Sequence, residues 1–587
     1  MVTDRRKLGR RAGDPRVFYT SIRDFLRDIP RVEQRFWALV ILTGAAAGVG
    51  AVYFNLVLRT VEDLAWGPGG SLLERVAAVS GARRFGVLLF AGVLVAALSL
   101  VLRRPLGGHG TAGIIQSIWS ADGTYSLRQA FLRGMSTITV VGMGAPLGRE
   151  GALISTGAGA GSWLGRRFGL STNQVRILAG CGAAAGIASA YNVPIGGALF
   201  GLEVILGSFA LELFGPIVVS TVTATIVSRV ILESHPAYAI PYYRMGEPLE
   251  ILSFMALAPV FGLASVIYIR GIELFANLPA RVPQQLRYFL PPLALGLTGL
   301  AAVWLPGLLG NGYDPVNLAL LGQLPLGLLL LLPFAKLLAS ALCAGAGVPG
   351  GLFTPSLFFG ALLGGALGMA VNALWPSSAP VGAYALVGMA AVLAGTTHAA
   401  ISSVLIIFEM TRDYGVILPV MVACAISTAV CRALEPHSLY TGVLFRRGVP
   451  LPEMPRPRWL QQGPIAPMVQ PNPATVQPST RFVDVIQRLL ALPPGQDLYV
   501  VDGEGKLLGA IVLEQLKGHL PEAANLEVAL AADLADAAVP RLSPTDTIAS
   551  AAARFVPTHL HRLPVVEADG RLVGTLARGD VLRRGQF

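Results

Sequence analysis

Charge is scarce in this 587-residue chain: Asp, Glu, Lys and Arg together make up 13% of it. A soluble globular protein carries roughly 25%. With hydrophobic residues at 53%, that shortage excludes an ordinary soluble core for most of the length, and it excludes disorder as well. Cysteine is scarce too. Cys181, Cys343, Cys424 and Cys431 lie in apolar segments without CxxC spacing, so they outline neither a disulfide framework nor a metal site and read as small buried hydrophobes. The chain lacks GxxxxGK[ST], HExxH and any Cys/His metal spacing, which argues against a pump ATPase, a metalloprotease or another enzyme. It lacks a G-X-Y period, and its 68 Gly and 41 Pro interrupt the apolar runs, so collagen and coiled coil are out. What remains is a polytopic membrane protein with a soluble appendage.

The formal net charge is +11, from 45 Lys+Arg against 34 Asp+Glu. The basic residues gather in the N-terminal segment and beside apolar runs, a membrane-topology pattern and not a nucleic-acid one. The first apolar run begins only near Phe36, late and long for a cleaved signal peptide. Arg5, Arg6, Lys7, Arg10 and Arg11 put residues 1–35 in the cytoplasm by the positive-inside tendency.

From Phe36 to about Arg432 there are about fourteen apolar segments. A lone spanning helix needs roughly 20 apolar residues. Several segments here are shorter or cut by Gly and Pro, such as Gly148–Gly165, Val193–Gly207 and Gly351–Gly368. Such broken helices are tolerated only where they are buried in protein or line a wet cavity. Between Ile177 and Ala210 the sole charged residue is Glu203, and between Pro315 and Thr411 there are only Lys336 and Glu409. A charge at bilayer depth costs roughly 2.5–3.5 kcal/mol, so each needs a partner, water or a function. Carboxylate clusters that would suit a divalent-cation transporter are not visible in this region.

An internal repeat organises these segments. Pro146–Gly165 aligns without gaps to Pro349–Gly368, with seven of 20 positions identical. Gly182–Val204 aligns to Gly388–Met410 with seven of 23, matching Glu203 to Glu409. GHG at Gly108–Gly110 pairs with GNG at Gly310–Gly312. The offsets of 203, 206 and 202 keep a consistent order, which predicts two homologous halves, about 36–235 and 250–435. Paired, Gly- and Pro-interrupted segments put a transporter's binding site where its halves meet.

After Pro450 the composition changes. Met454–Pro478 is Pro-rich, and 447–464 is taken as the linker. The tail holds its own repeat: Leu498–Leu516 matches Leu563–Val581 at an offset of 65. Each copy reads strand, turn, strand, helix, preceded by an amphipathic helix.

Three Gly-rich breaks could bind a ligand. In GREGA, Gly148–Ala152, a helix starting after the glycines would turn its free N–H groups and positive end toward a cavity, which suits an anion. Glu150 would then place a carboxylate where the anion belongs and act as a protonatable plug. The plain alternative is an Arg149–Glu150 pair in a loop. The repeat puts Phe353 of GLFTP, Gly351–Pro355, opposite Glu150, so two helix N-termini from two halves converge. In GGHGTAG, Gly107–Gly113, His109 could donate to an anion or be merely structural. Tyr440, in EPHSLYTGVLF, offers a neutral hydroxyl donor suited to an anion that must leave again, or is an interfacial aromatic.

GGHGTAG, GREGA, GLFTP and Tyr440, in this order and at these separations, resemble the CLC chloride channels and chloride/proton antiporters, whose patterns read approximately GSGIP, GREGP and GxFxP. The tail resembles a pair of CBS domains, bounded here at 465–522 and 530–585. The resemblance implies an all-α polytopic membrane domain over 36–446, made of two inverted-topology halves with broken helices, followed by an α/β CBS pair. It further implies a homodimer in a cell (plasma or inner) membrane with one anion pathway per subunit and a cytoplasmic tail. Glu150 matches the gating glutamate. The implied chloride-binding set is His109, Gly110, Arg149, Gly151, Leu352, Phe353, Thr354 and Tyr440. Chloride or another monovalent anion is the expected ligand, and no cofactor is required.

Departures from the pattern carry information. Ala152 replaces the Pro of GREGP, and His109 replaces the usual Ser, which puts chloride-over-nitrate selectivity in doubt. Many antiporters of the family have two adjacent glutamates, the second passing protons inward. Here the pair reads Glu203–Val204, and a valine carries no proton. Passive conduction is therefore favoured over proton-coupled exchange, with Glu203 as the remaining protonatable group. In the second CBS copy Gly574 and Asp580 match a nucleotide-holding pattern, but Ala577 stands at the hydroxyl position. The first copy has Gly509, Val512 and Gln515. The tail is then either a weak adenine-nucleotide site through Asp580 or a dimerising module without ligand.

Overall fold

The computed structural model describes residues 31–103, 106–107, 110–120, 123–232, 238, 250–449, 464–493, 496–512, 529–555 and 560–584. His109, most of the N-terminal segment, nearly all of the linker and the Val512-to-Gln515 stretch beyond Val512 lie outside them. The chain divides into two compact units, Met1–Leu451 and Pro452–Phe587, a division that falls inside the stretch read as linker.

The first unit is helical. Its first half runs α1 (Arg31–Trp66), α2 (Leu72–Ala78), α3 (Gly81–Val101), α4 (Gly110–Ser120), α5 (Leu127–Gly142), α6 (Glu150–Arg167), α7 (Thr172–Tyr191), α8 (Pro194–Phe200) and α9 (Leu211–Ile231). Its second half runs α10 (Glu250–Ala276), α11 (Leu290–Trp304), α12 (Tyr313–Leu320), α13 (Leu326–Gly345), α14 (Phe353–Leu374), α15 (Val381–Thr397), α16 (Ala400–Thr411), α17 (Ile417–Leu434) and α18 (Thr441–Arg446). Among the described residues, eight helices are long and apolar enough to cross a membrane. Local chemistry marks several starts. Ser71 with Glu74, and Ser171 with Gln174, form capping boxes for α2 and α7, and Pro194 opens α8 without forfeiting a helical hydrogen bond.

The repeat is a packing device. A Cβ at Gly157 of α6 would lie 2.1 Å from the carbonyl oxygen of Gly182 in α7, and one at Gly360 of α14 would lie 2.4 Å from that of Gly388 in α15. These two glycine crossings occupy equivalent positions in the two halves. Absence of side chains lets the broken helices pack backbone to backbone, as small residues do between membrane helices. Both helix pairs then end alike. Asn192 and His398 adopt left-handed geometry, with φ of 62° and 58°, before the next helix starts.

Contacts between the halves are reciprocal. Glu203 accepts from the backbone N–H of Ser402 at 2.8 Å and from its hydroxyl at 2.5 Å, at the start of α16. Its counterpart Glu409 accepts from Ile195 N at 3.1 Å and Gly196 N at 2.6 Å, at the start of α8. Each glutamate caps the other half's helix, where orphan N–H groups and the helix dipole favour a carboxylate. Such mutual exchange is the mark of a two-fold relation.

The tail unit contains β1 (Thr475–Val476), α19 (Phe482–Ala491), β2 (Leu498–Val501), β3 (Leu507–Ile511), α20 (Ala531–Leu534), α21 (Ile548–Phe555), β4 (Arg562–Val566), β5 (Leu572–Ala577) and α22 (Arg578–Arg584). β2 pairs antiparallel with β3 and parallel with β1, and β4 pairs antiparallel with β5. The lead-in of each copy packs on the other copy. Ile465 joins the core around Leu563 and Leu576, whereas Ala531 joins the core around Val485 and Val500. Lys506 and Arg571, equivalent at the 65-residue offset, form a bridge between the two sheets.

Candidate functional site

The site begins at a backbone bridge. Gly148 N donates to Gly351 O at 2.8 Å and Gly351 N donates to Gly148 O at 2.7 Å. These glycines are equivalent in the repeat, so the pseudo-two-fold passes between them and the paired segments run antiparallel. Two residues later on each side a helix starts, α6 at Glu150 and α14 at Phe353. Neither has a side-chain cap, so the first backbone N–H groups of both helices remain for a ligand.

Glu150 is 1% exposed. Its Oε1 accepts from the Tyr191 hydroxyl at 2.5 Å and from the Thr354 hydroxyl, and these two hydroxyls lie 2.8 Å apart. Its Oε2 has no hydrogen-bond partner among the described residues. A Cβ at Gly148 would lie 1.9 Å from Oε2, and one at Gly351 would lie 3.0 Å away. The glycines of both motifs therefore make room for the carboxylate itself. From Tyr191 an aromatic row leads away: Phe353 at 5.4 Å between ring centroids, Phe200 at 5.8 Å from Phe353, and Tyr440 at 6.4 Å from Phe200.

Two cavities flank this centre. One, of about 830 Å³, is lined by Arg149, Tyr191, Asn311, Gly312, Tyr313 and the end of α1 from Asn55 to Asp63. The other, of about 400 Å³, is lined by Gly107, Gly110, Thr111, Gly151, Leu352 and Tyr440. Repeat equivalents separate between them. Asn311 and Gly312 of GNG and the adjoining Tyr313 line the first, whereas Gly110 and Thr111 of the equivalent motif line the second. Arg149 lines the first, and its equivalent Leu352 lines the second. Equivalent motifs opening to different cavities is what an inverted repeat produces.

Most of the expected residues come together. Glu150, Phe353 and Thr354 form the centre, and Gly110, Gly151, Leu352 and Tyr440 line one cavity. Arg149 is set apart from that group. Its Nη1 reaches Asn55 Oδ1 at 3.2 Å, its Nη2 points to Ala190 O at 3.5 Å, and its guanidinium lies 5.8 Å from the Tyr313 ring centre. As the residue before the helix it turns toward the opposite cavity. Glu203 and Val204 lie in a π-turn, Gly201–Leu206, that continues α8. Val204 is buried in the apolar core with Phe200 and Ile205. Asp580 accepts from Gln470 Nε2 at 3.3 Å, across the lead-in exchange of the tail. Tyr191 was not among the expected residues. A lone phenol ending an Ala/Gly-rich helix was the available signal, but its proximity to Glu150 is set by folding across 41 residues.

The comparisons agree with this geometry. The family model described as voltage gated chloride channel matches residues 86–432, and the CBS domain model matches 531–586. A protein of Ralstonia nicotianae named putative chloride channel protein ClcB-like is 37% identical over 423 residues, covering 70% of this chain and 96% of that protein. The voltage-gated ClC-type chloride channel ClcB of Escherichia coli (strain SMS-3-5 / SECEC) is 32% identical over 327 residues, covering 54% and 76%. A slow cyanobacterial Cl-/H+ antiporter has the same fold, with a TM-score of 0.64 at 24% identity, covering 70% of this chain and 98% of that one. A eukaryotic CLC transporter gives 0.58 at 22%, covering 93% and 98%. This multi-pass membrane chain, with its two inverted halves and its CBS tail, belongs to the CLC family of voltage gated chloride channels.

Proposed function

We propose that this chain is a passive, chloride-conducting channel gated by Glu150, with a regulatory CBS pair. The observation that carries the reading is the seat of Glu150: a buried carboxylate at the point where two uncapped helix N-termini meet, with a cavity on either side. The cavity lined by the end of α1 is the outer one. α1 leaves the basic N-terminal segment, and its 36 residues extend about 54 Å at 1.5 Å per residue, enough to cross a bilayer. The cavity with Tyr440 then opens to the cytoplasm.

Chloride entering from either side sheds water and is held by the first N–H groups of α14, by the Tyr440 hydroxyl and by His109. Neutral donors hold it loosely enough to let it leave. Seated Glu150 occupies the place of an outer anion. Protonation from outside, or displacement by chloride, unseats it, so lower external pH raises the open fraction. A Glu150→Gln variant tests this in planar bilayers: its conductance is expected to be high and independent of external pH, and a pH response as strong as wild type overturns the gate.

Passive conduction rests on Val204, which puts an apolar side chain where an inward proton step needs an acid. Glu203 is occupied as the cap of α16. The expected reversal potential follows chloride and ignores a pH gradient. A shift with the pH gradient makes the chain a chloride/proton antiporter instead. Two copies of the chain are read as one dimer with a pathway in each. In the tail, an adenine nucleotide would meet Asp580 and find no hydroxyl at Ala577, so its binding is weak.

A further inference from the structure

One charge inside the membrane domain has no part in the gate. Lys336 on α13 is 0% exposed, and no carboxylate pairs with it among the described residues. A buried ammonium without a counter-charge is costly, so its N–H groups must all find partners. Nζ donates to Leu308 O at 2.8 Å and to Gly310 O at 2.5 Å, and it lies 5.2 Å from the centre of the Phe358 ring. Two carbonyls and one aromatic face suffice for three N–H groups.

Both carbonyls belong to the turn that carries the GNG break. That turn walls the outer cavity: Gly307, Leu309, Asn311 and Gly312 line it, whereas Leu308 and Gly310 do not. The oxygens that Lys336 takes are therefore those of the residues set back from the cavity. The same frame reaches the lead-in to Glu150. Gly310 N donates to Gly144 O at 2.9 Å, and Ser340, one turn after Lys336, donates to Pro146 O at 2.5 Å. Phe358 packs on the break as well, since a Cβ at Gly312 would lie 2.4 Å from its ring. The repeat does not demand this hook. At the offset of 203 the counterpart of Lys336 is Arg133 on α5, which is half-buried and bonds to Tyr125 instead.

We propose that Lys336 is a positioning residue for anion entry from outside: it holds the Leu308 and Gly310 carbonyls behind the GNG break and keeps two electronegative oxygens out of the wall that an incoming anion passes. This role rests on the anion-conducting reading above. Carbonyl dipoles aimed into a path favour cations and repel anions. Without the ammonium both buried oxygens lose their partner, and turning toward water in the outer cavity replaces it. The wall then presents oxygen where it now presents Leu309, Asn311 and Gly312. Glu62, Asp63 and Asp314 line that cavity against Arg59, Arg75, Arg149 and Arg229. Its full charges come close to balance, so the direction of the wall's dipoles counts. The cavity lined by Tyr440 contains no part of this turn, so entry from the cytoplasm is spared.

The test records single channels of the full-length protein in planar bilayers, sided by the chamber whose acid opens them, as wild type, Lys336→Met, Lys336→Gln and Lys336→Arg. Chloride is titrated on one side at a time. In Lys336→Met the external chloride giving half-maximal current should rise about three- to tenfold, the scale of one ordinary hydrogen bond. The limiting current and the cytoplasmic half-saturation should be kept. Lys336→Gln, a neutral donor, should fall between, and Lys336→Arg, which keeps both charge and donors, should stay within about twofold of wild type. An equal shift on both faces makes the residue merely structural and overturns the assignment, as does a lower melting temperature with both half-saturations unchanged. If Lys336→Met does not fold, Lys336→Gln decides, and an unchanged external half-saturation there overturns the role. Wild-type protein without chloride current defeats the conduction reading and this role with it, whereas a conducting wild type matched by Lys336→Met defeats this role alone.

Discussion

Removing the Tyr191 hydroxyl should loosen the gate. Oε1 of Glu150 is held by two hydroxyls, Tyr191 at 2.5 Å and Thr354, while Oε2 has no hydrogen-bond partner among the described residues. A hydrogen bond to a charged group is worth roughly 1.5–3 kcal/mol. Tyr191→Phe removes one such bond and keeps the ring, which packs on Phe353 at 5.4 Å. The displaced carboxylate reaches water in the outer cavity, so little of that loss recurs in the unseated state. The ratio of unseated to seated gate should rise about 10- to 100-fold, at 1.4 kcal/mol per decade. Chloride efflux from proteoliposomes at neutral pH should accelerate accordingly, until chloride passage itself becomes limiting. Thr354→Ala should act in the same direction. The double variant should gain less than the sum, because the two hydroxyls lie 2.8 Å apart and share one acceptor oxygen. Efflux within twofold of wild type in both single variants, with protein of normal thermal stability, would refute the clamp.

In the tail, burial pushes the Asp497 carboxyl up to about 6, with His561 and Arg562 pulling the other way. A folded value above the unfolded one means the native tail binds the proton more tightly. Its contribution is therefore fully favourable below about pH 4 and is lost as pH rises through about 6, by about 3 kcal/mol at most. Thermal unfolding of the tail in the full-length protein should be higher at pH 5 than at pH 7.5, and Asp497→Asn should flatten that difference. Glu203→Gln and Glu409→Gln should each cost about 0.5–2 kcal/mol as weakened helix caps, with similar falls in melting temperature. A loss of proton dependence in Glu203→Gln without a stability change contradicts the cap assignment. Gly360→Ala forces a methyl against Gly388 O at 2.4 Å, so α14 and α15 must separate at a cost of about 1–3 kcal/mol, read as a lower melting temperature in lipid nanodiscs.

What could be read from the sequence follows from what is local. Glycine breaks, helix starts and apolar runs are local, so the starts of α6 and α14 at Glu150 and Phe353 were legible, as was the pairing of the halves. The repeat alignment extended this by matching Glu203 to Glu409, but it could not show that each caps the other's partner helix, since that contact spans 199 residues in one case and 213 in the other. Tyr191 and Tyr313 were illegible for the same reason. Their hydroxyls acquire meaning only after folding carries them to Glu150 and Arg149. Arg149 shows a different limit. Its place beside Glu150 in sequence suggested one shared site, yet consecutive residues at a helix start project in different directions, and the structure sends the two side chains to a central seat and an outer cavity.

The strongest constraint on mechanism lies in where the two halves stop matching. Their backbones meet as equivalents at Gly148 and Gly351, and each then begins an uncapped helix. At the first residue of those helices one half has Glu150 and the other has Phe353. Two acids there would repel each other and block anion entry from both sides. Two phenylalanines would leave the helix ends open with no means of closing them. With one of each, the acid closes the path from one side only. The phenylalanine starts the aromatic row through Phe200 to Tyr440, which shapes the other side without a charge. On the channel reading proposed above, the symmetric fold supplies two opposed anion-attracting ends, and a single residue difference between its halves lets external protons and chloride open the path. Exchanging the pair, Glu150→Phe with Phe353→Glu, should move the plug to the α14 side of the bridge. The response to pH should then transfer from the external to the cytoplasmic solution, and retention of external pH control in that variant would show that the gate does not depend on which half carries the acid.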